Sequence, residues 1–393
     1  MEPLARNGYT ADEVRAALHG AARYMSYKYE LLDDQNRHKA WLPNVLEGKI
    51  SYNALAEIKR TARFVLREDP SVPIDWLRDR IRPWALLRMP RKAVTSYVYL
   101  QATQVSEWRG LGEWGYAEFP LGVFLLSSPT RRETDTGAVV REVEAYDQLV
   151  VLRDSRVTSR YVVPAGTNYI AAVSQVLTEA GIQEQDLLPT PLTLPVDREW
   201  EPGTTRLQIA NDLLLAINYQ SLYFDAQGRA VARPYRDPSE LPPEYTYRDD
   251  DESVILPGVE EELDLWDVPN QWILYVSEPD REPLYAVYTN TNPASPTSTV
   301  NRGRVITAEP EQVDAADQAT LDALAQRKAQ EASQVYQSVE FETAIMPMHG
   351  DMDVLQLEYT RLGIKARYRE HQWEMDLRPG GRMRHVVRRV VSV

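Results

Sequence analysis

Residues 372–391 read QWEMDLRPGGRMRHVVRRVV and carry the clearest local pattern in the chain. Apolar Trp373, Met375 and Leu377 alternate with charged or amide side chains, which is the period of a strand with one buried face. Pro379-Gly-Gly381 follows, and a second stretch returns from it. Glycine tolerates the positive φ that a tight turn between antiparallel strands needs. The segment therefore predicts a β-hairpin.

Two tracts rich in short strands, at 36–156 and 252–393, flank a middle block that reads strand, helix, helix, hairpin. This order predicts an α+β protein that is mainly β, with two barrel-like domains around a small α/β domain. Four parts are expected: an N-terminal arm and helix (1–35), a first β domain (36–156), the α/β domain (157–240), and a second β domain (241–393) with an inserted loop and helix at about 281–335.

The N-terminal helix is predicted from the capping box Thr10-x-x-Glu13, in which two side chains satisfy free backbone amides. Apolar residues then recur at helical spacing through Met25 and Leu32, so the helix is expected to run from about 11 to 32. Three later segments are predicted to be a strand, a proline-rich linker and an exposed loop, at Tyr146–Leu152, 236–250 and Thr289–Val300 respectively.

Each helix of the middle block follows a short turn, at Pro164–Thr167 and at Glu201–Thr204. The first helix is expected to end at Gly181, and the second is followed by a hairpin that turns at Asp225–Gly228. The two similar helix entries indicate either a weak internal duplication or two independent starts, because the shared motif is only a few residues long.

The composition excludes several kinds of site. The chain has no cysteine, so disulfides, thiolate zinc sites and iron–sulfur clusters are impossible. The net charge of −14 argues against general affinity for nucleic acid, which needs a cationic surface. The longest apolar runs are too short to span a bilayer, and no secretory signal is visible at the N-terminus.

The charge is distributed unevenly along the chain. Residues 240–264 carry ten acids against one base, whereas residues 367–393 carry seven arginines against three acids. Residues 56–93 are also basic, with ten bases against five acids. These tracts are either separate solvated faces or complementary surfaces that dock head to tail between copies of the chain.

No catalytic or cofactor motif is recognisable, so no catalytic, cofactor-binding or metal-binding residue and no cofactor is predicted. The best polar cluster is His349-Gly-Asp351-Met-Asp353, which if extended would put three potential ligands on one face. Such residues also occur in loops for turn reasons alone, so metal binding there stays open. For His19, His371 and His385, a surface or cross-strand role is favoured over catalysis.

The layout of a strand-rich domain, an α/β domain and a second strand-rich domain resembles the hub proteins of bacteriophage tail tips and baseplates. The succession of a helix, a strand, a turn and a strand at Ala325–Val335, Tyr336–Ile345, His349–Asp353 and Leu355–Tyr359 is similar to the way these hubs end. Leu42–Leu66, followed by Trp76–Pro90, resembles minor tail proteins of long-tailed phages. The resemblance covers most of the chain.

This resemblance implies a non-enzymatic homotrimer in which two tube-like β domains per chain imitate a sixfold ring. Such a hub joins the sixfold tail tube or distal tail ring to a threefold tip and forms a channel for DNA. The expected partners are further copies of the chain, the distal tail protein or tube ring, a tail tip or fibre protein, a tape-measure protein in the lumen, and genomic DNA in transit. The expected location is the tail tip or baseplate of the virion, after assembly in the host cytoplasm.

Two alternatives stay open. A carbohydrate- or receptor-binding tail protein would expose tryptophans on one β face, with Trp108, Trp114 or Trp272 as candidates. For the loop around Trp108 and Trp114, a tight turn with one tryptophan on the barrel wall is favoured over an exposed aromatic anchor at a subunit interface. A cell-wall hydrolase would need two carboxylates roughly 5–9 Å apart across a cleft.

Overall fold

The computed structural model describes residues 1–90, 114–135, 137–263, 266, 268–277, 282–334, 337–391 and 393. The protein is mainly β, as the sequence predicted, with 40% of its residues in strands and 17% in helices. The described helices are α1 (Ala11–His19), α2 (Leu149–Asp154), α3 (Tyr169–Glu179), α4 (Arg206–Leu215), α5 (Thr299–Arg302) and α6 (Gln318–Ser333). None of them combines the length and the apolar character that crossing a membrane requires.

The described strands in chain order are β1 (Met25–Leu32), β2 (His38–Trp41), β3 (Val45–Asn53), β4 (Arg60–Arg67), β5 (Arg80–Pro90), β6 (Trp114–Pro120), β7 (Phe124–Leu126), β8 (Thr130–Glu133), β9 (Val139–Tyr146), β10 (Tyr161–Val163), β11 (Gln185–Leu187), β12 (Arg198–Trp200), β13 (Tyr223–Phe224), β14 (Ala230–Ala232), β15 (Tyr245–Arg248), β16 (Glu260–Leu263), β17 (Gln271–Val276), β18 (Leu284–Thr289), β19 (Glu311–Gln312), β20 (Gln337–Ala344), β21 (Val354–Tyr359), β22 (Ile364–Asp376) and β23 (Arg382–Arg389).

The strands of the N-terminal tract follow the order β2-β1-β5-β7-β9-β4-β3, with β6 on β5 and β8 on β9. This tract curls, because β3 at its far end comes back against β1. The backbone amide of Leu42, which directly follows β2, donates to the Tyr29 carbonyl over 2.8 Å and extends the pairing of β2 with β1. A β-carbon at Gly48 would lie 2.6 Å from the Tyr29 hydroxyl, so only glycine fits where β3 approaches β1.

The C-terminal tract curls in a similar way around β21-β22-β23-β20. Strand β15 pairs in parallel with β21 at one end of this order. The chain that follows reaches the other end, where the Ala344 amide donates to the Val254 carbonyl over 3.0 Å and the Leu256 amide donates to the Glu342 carbonyl over 2.8 Å. Residues 245–256 thus contact both outer strands of the group, and β16 then extends the sheet beyond β20.

The two tracts are joined by β3 and β22, which pair antiparallel with Ile50 opposite Met375 and Tyr52 opposite Trp373. All of these strands therefore belong to a single sheet of 15 strands. Its apolar face is continuous as well, because Phe64 from the first tract and Phe341 from the second are buried in the same core. The division of this sheet into two tube-like domains stays a prediction.

The middle block has its own core, built from α2, α3, α4 and two small sheets, β10-β12 and β11-β14-β13. The apolar positions that predicted its helices are buried, including Val173 and Leu177 of α3 and Leu213 of α4. A separate unit formed by residues 271–333 packs α6 on the sheet β18-β17-β19 through Leu321 and Leu324.

The predicted helix over 11–32 is wrong beyond His19. Helix α1 begins with the expected capping box but ends at Gly20, whose backbone is extended. Residues 25–32 are β1, which pairs with β5 along its whole length. The apolar spacing of Met25 and Leu32 fitted a helix by coincidence, whereas the alternation of Tyr27, Tyr29 and Leu31 with polar residues is the strand signal.

Three other predicted segments also differ. Residues 149–154 form α2 rather than a strand, because Asp147 accepts the Leu149 amide over 2.9 Å and starts a turn. The predicted linker 236–250 contains β15, whose Tyr245 and Tyr247 are buried. The predicted exposed loop Thr289–Val300 overlaps the start of α5, and it buries four polar residues with hydrogen bonds among them, Asn290, Ser295, Thr297 and Ser298.

Candidate functional site

The polar segment His349–Asp353 lies in the loop between β20 and β21, but its three potential ligands do not share one site. His349 and Asp353 lie together, with Nδ1 and Oδ2 3.4 Å apart. Asp351 instead accepts from the Tyr52 hydroxyl over 2.6 Å and lies 3.5 Å from the Lys59 ammonium. The predicted face of three ligands is therefore corrected to two, with Asp351 committed elsewhere.

The loop meets two further residues in the core of the second tract. His349, Glu370 of β22 and His385 of β23 are all buried, and one ligand atom from each lies within 4.8 Å of the others. The His385 Nδ1 is 2.6 Å from one Glu370 carboxylate oxygen. The His349 Nδ1 contacts the other Glu370 oxygen. We call these three residues the His–Glu–His cluster.

Hydroxyl groups hold the far side of both imidazoles. The Tyr247 hydroxyl is 2.6 Å from His349 Nε2, and the Thr343 Oγ1 is 2.9 Å from His385 Nε2. On the loop side, Asp353 accepts the Gly350 amide over 2.7 Å. The Met1 ammonium lies 2.7 Å from the other Asp353 oxygen and also pairs with Glu244. Each imidazole is thus fixed from two sides.

Burial and neighbouring charges act against each other in this cluster. Burial lowers the pKa of His349, but the carboxylates of Glu370 and Asp353 outweigh it and raise the pKa to about 9. Burial raises the pKa of Glu370, yet the two histidines outweigh it and hold the pKa below its ordinary value. Burial dominates at His385 and lowers its pKa. At neutral pH, Glu370 is therefore ionised and His385 is neutral.

The sequence pointed to His349 and Asp353 but not to Glu370 or His385 as their companions. His385 takes the cross-strand role expected of it, because it faces Glu370 on the adjacent strand. Glu370 stands just before a β-bulge in β22, where the register shifts before Gln372. A bulge re-aims side chains, and its position depends on the pairing of β22 with β23 rather than on local sequence. The one available signal was a glutamate within a largely buried strand.

Arginines of the basic tract 367–393 pair with acids that lie outside the acidic tract 240–264. On the exposed face of the sheet, Lys49 pairs with Glu374 over 2.6 Å, and Arg382 pairs with Glu342 over 3.0 Å. Arg384 pairs with Glu340. Such exposed pairs contribute only about 0–1 kcal/mol each to the free energy of folding. They identify this side of the sheet as a solvent-exposed face.

The aromatic candidates have separate outcomes. Trp272 is buried in β17, so it offers no exposed face to a carbohydrate. Trp108 lies outside the described residues. The backbone of Trp114 begins β6, and its side chain lies outside the described part of the chain. The conspicuously exposed tryptophan among the described residues is Trp266, which is 75% exposed.

No protein-family model matches the sequence, and no curated protein matches it. Solved structures do match. A tail protein from Neisseria meningitidis superposes with a TM-score of 0.61 at 12% identity, covering 92% of this chain and 96% of the other. This chain has a tail-protein fold. The 43 kDa tail protein of prophage MuSo2 from Shewanella oneidensis gives 0.55 at 11% identity, covering 92% and 98%.

A third tail-protein structure, a prophage protein from Listeria monocytogenes, gives a TM-score of 0.53 at 11% identity, covering 92% of this chain and 94% of the other. Each superposition spans nearly the whole length of both chains. The expected resemblance to phage tail proteins is confirmed at the level of the fold.

Proposed function

We propose that this protein is the structural hub of a phage tail tip. Three copies would form a ring that joins the sixfold tail tube or distal tail ring to a threefold tip and encloses a channel for DNA. The observation that carries the proposal is the tail-protein fold over 92% of the chain in three solved structures. The same likeness supports the proposal of a structural, non-enzymatic role.

The arrangement of the sheet supports a ring of copies. Each chain supplies two curled β tracts, so three chains supply six, and a threefold complex can present six similar units to a sixfold tube. The end strands of the sheet, β2 and β16, each pair on one side only among the described strands. Free strand edges are sites where another chain can add, unless something covers them.

The charge of one edge suits contact with a basic neighbour. Residues Glu260, Glu261 and Glu262 of β16 are all exposed. This acidic edge would steer association toward a cationic surface and would oppose pairing with its own kind. The acidic edge therefore favours head-to-tail contact between copies, because a symmetric contact of β16 with β16 would bring like charges together.

The further partners of the hub are a distal tail protein or tail tube ring, a tail tip or fibre protein, and a tape-measure protein in the lumen, with genomic DNA only in transit. The net charge of −14 would let DNA pass without adhering if acids line the channel. The protein would act in the virion tail after assembly in the host cytoplasm.

The decisive experiment removes the coding sequence from the phage or prophage that carries it. Electron microscopy should then show tails without a distal tip, or no tails at all, and expression from a plasmid should restore the tip. Normal, infectious tails after the deletion would refute the proposal. Light scattering tests the trimer separately: one chain has a mass of 45.0 kDa, so a ring of three should have about 135 kDa.

A further inference from the structure

The His–Glu–His cluster brings together residues from three separate parts of the chain, and Asp353 lies beside it, with Oδ2 3.4 Å from His349 Nδ1. His349 and Asp353 come from the loop before β21, Glu370 comes from β22, and His385 comes from β23. We propose that these four residues form a structural site for one divalent transition metal ion, with zinc as the ion that fits the donor set. The site is independent of the hub role, and its failure would leave that role untouched.

The donor set has the composition of a zinc site. Zinc binds imidazole nitrogens and carboxylate oxygens and prefers four ligands in structural sites. The cluster supplies two imidazoles and one carboxylate, with ligand atoms within 4.8 Å of one another, and Asp353 adds a second carboxylate. The carboxylates of Glu370 and Asp353 would balance the divalent ion, while Glu244 balances the Met1 ammonium that lies beside Asp353. An unbalanced charge in a buried site is costly.

The hydrogen bonds on the far side of the rings are compatible with a cation at the centre. The Thr343 Oγ1 lies 2.8 Å from the Ala344 carbonyl oxygen and 2.9 Å from His385 Nε2, so in one tautomer of His385 it donates to the carbonyl and accepts from Nε2–H. In the neutral imidazole, Nδ1 then carries a lone pair, which points at a Glu370 oxygen 2.6 Å away. In that tautomer a metal ion would separate the two lone pairs, whereas in the other tautomer Nδ1–H donates to Glu370 and no ion is required.

The surroundings are those of a metal site rather than of an isolated hydrogen bond. Histidines that bind metals usually donate the second ring N–H to an oxygen, which fixes the tautomer and the ring orientation. Tyr247 and Thr343 occupy these outer positions for His349 and His385. A zinc ion bound at both Nδ1 atoms would therefore find its outer contacts already in place.

The distances define what binding must change. Ligand atoms about 2.0–2.1 Å from zinc lie roughly 3.3 Å apart in a tetrahedron. The separation of 3.4 Å between His349 Nδ1 and Asp353 Oδ2 already fits this geometry. The 2.6 Å contact between His385 and Glu370 has to widen by about 0.7 Å, which a change of side-chain torsions can supply. Four protein ligands leave no open position, so the role of the ion is structural.

Metal analysis of the untagged chain tests the proposal directly. The protein should be purified from zinc-supplemented cells without metal-affinity steps. Inductively coupled plasma mass spectrometry should then find about one zinc ion per chain. Chelation should lower the melting temperature, and added Zn²⁺ should restore it. After exchange, Co²⁺ should give the visible absorption of a tetrahedral ion. This measurement on the unmodified chain does not depend on whether any variant folds.

Two matched substitutions on β22 locate the site. Glu370→Gln keeps the side-chain volume and removes the charged ligand, so Zn²⁺ should bind about 100-fold more weakly or not at all. His371→Gln is the control, because His371 is also buried but its ring nitrogens contact no polar partner in the described part of the chain. Its metal content should equal that of the unmodified protein.

Three outcomes would overturn the proposal. The first is a metal content far below one per chain together with no cobalt spectrum, which would mean that protons alone bridge the cluster. The second is unchanged metal binding in Glu370→Gln. The third is an equal loss of metal in Glu370→Gln and His371→Gln, which would indicate a site elsewhere or a general loss of structure.

Discussion

Gly228 tests how firmly the middle block is attached to the large sheet. It lies in the turn between β13 and β14 with φ +90°, and its carbonyl accepts from the buried Gln148 side chain over 2.6 Å. A β-carbon at this position would lie 2.7 Å from Val123 Cγ2 and 3.1 Å from Gln148 Nε2. Gly228→Ala therefore combines an unfavourable backbone conformation with a steric clash against the large sheet.

Gly166 isolates the first of these two effects. It has φ +80°, and a β-carbon there would meet nothing within 4 Å. Gly166→Ala should cost about 1–2 kcal/mol for the left-handed backbone, reduced by up to about 1 kcal/mol because alanine restricts the unfolded chain. Gly228→Ala carries the same terms and adds overpacking against Val123, which costs about 1–3 kcal/mol. The difference between the variants should therefore be about 1–3 kcal/mol.

Urea denaturation of both variants measures this difference from the transition midpoints, provided that the slope is unchanged. Hydrogen exchange supplies a local readout: amides of residues 226–232 should exchange faster in Gly228→Ala than in Gly166→Ala. If the two variants lose the same stability, the contact of the β13–β14 turn with Val123 contributes nothing, and the middle block is not held at this point.

Three further substitutions test other parts of the fold. Burial raises the pKa of Asp147 to about 6, so between about pH 4 and pH 6 the unfolded chain ionises this carboxyl while the folded chain keeps it protonated, and stability falls as the pH rises. The unmodified protein should lose roughly 2 kcal/mol relative to Asp147→Asn between pH 4 and pH 7, measured by denaturation at both pH values. Phe64→Ala empties a fully buried position and should cost about 3–5 kcal/mol. Thr10→Ala removes the α1 cap and should cost about 1 kcal/mol.

Each of these substitutions has its own contradicting result. Parallel pH profiles for the unmodified chain and Asp147→Asn would mean that Asp147 titrates normally. A loss below about 1 kcal/mol for Phe64→Ala would mean that the core fills the space by relaxing. A stability of Thr10→Ala equal to that of the unmodified chain would mean that α1 is held by the packing of Val14 and Leu18 alone.

Elements whose pattern and boundaries are local could be predicted from the sequence. The hairpin of β22 and β23 combines alternation with a Pro-Gly-Gly turn, and α3 and α4 carry helical spacing with clear turns before them. Strand β15 could not be recognised, because its partner β21 lies about a hundred residues later and its own sequence has the composition of a linker. Its two tyrosines, Tyr245 and Tyr247, are recognisable as core residues only once the pairing with β21 is known.

The same distinction separates the two halves of the candidate site. His349 and Asp353 are four residues apart, so their common loop made them visible as a cluster. Glu370 and His385 reach the same point only through the register of β22 and β23, which places Glu370 opposite Val387 beside a bulge. A shift of one residue in the pairing of β22 with β23 would turn Glu370 to the other face of the sheet. The local sequence around Glu370 does not show which of these two registers forms.

The seam between β3 and β22 bears most directly on the proposed hub. A threefold ring can imitate sixfold symmetry only if the two β tracts of each chain hold a fixed angle, because freely moving halves would present six unrelated orientations. A linker could not hold that angle, whereas a shared sheet can. The seam has backbone pairing from Gln372 to Asp376, and it stacks Tyr52 on Trp373 with ring centroids 5.4 Å apart. The strength of this seam is therefore the physical property on which symmetry matching would depend.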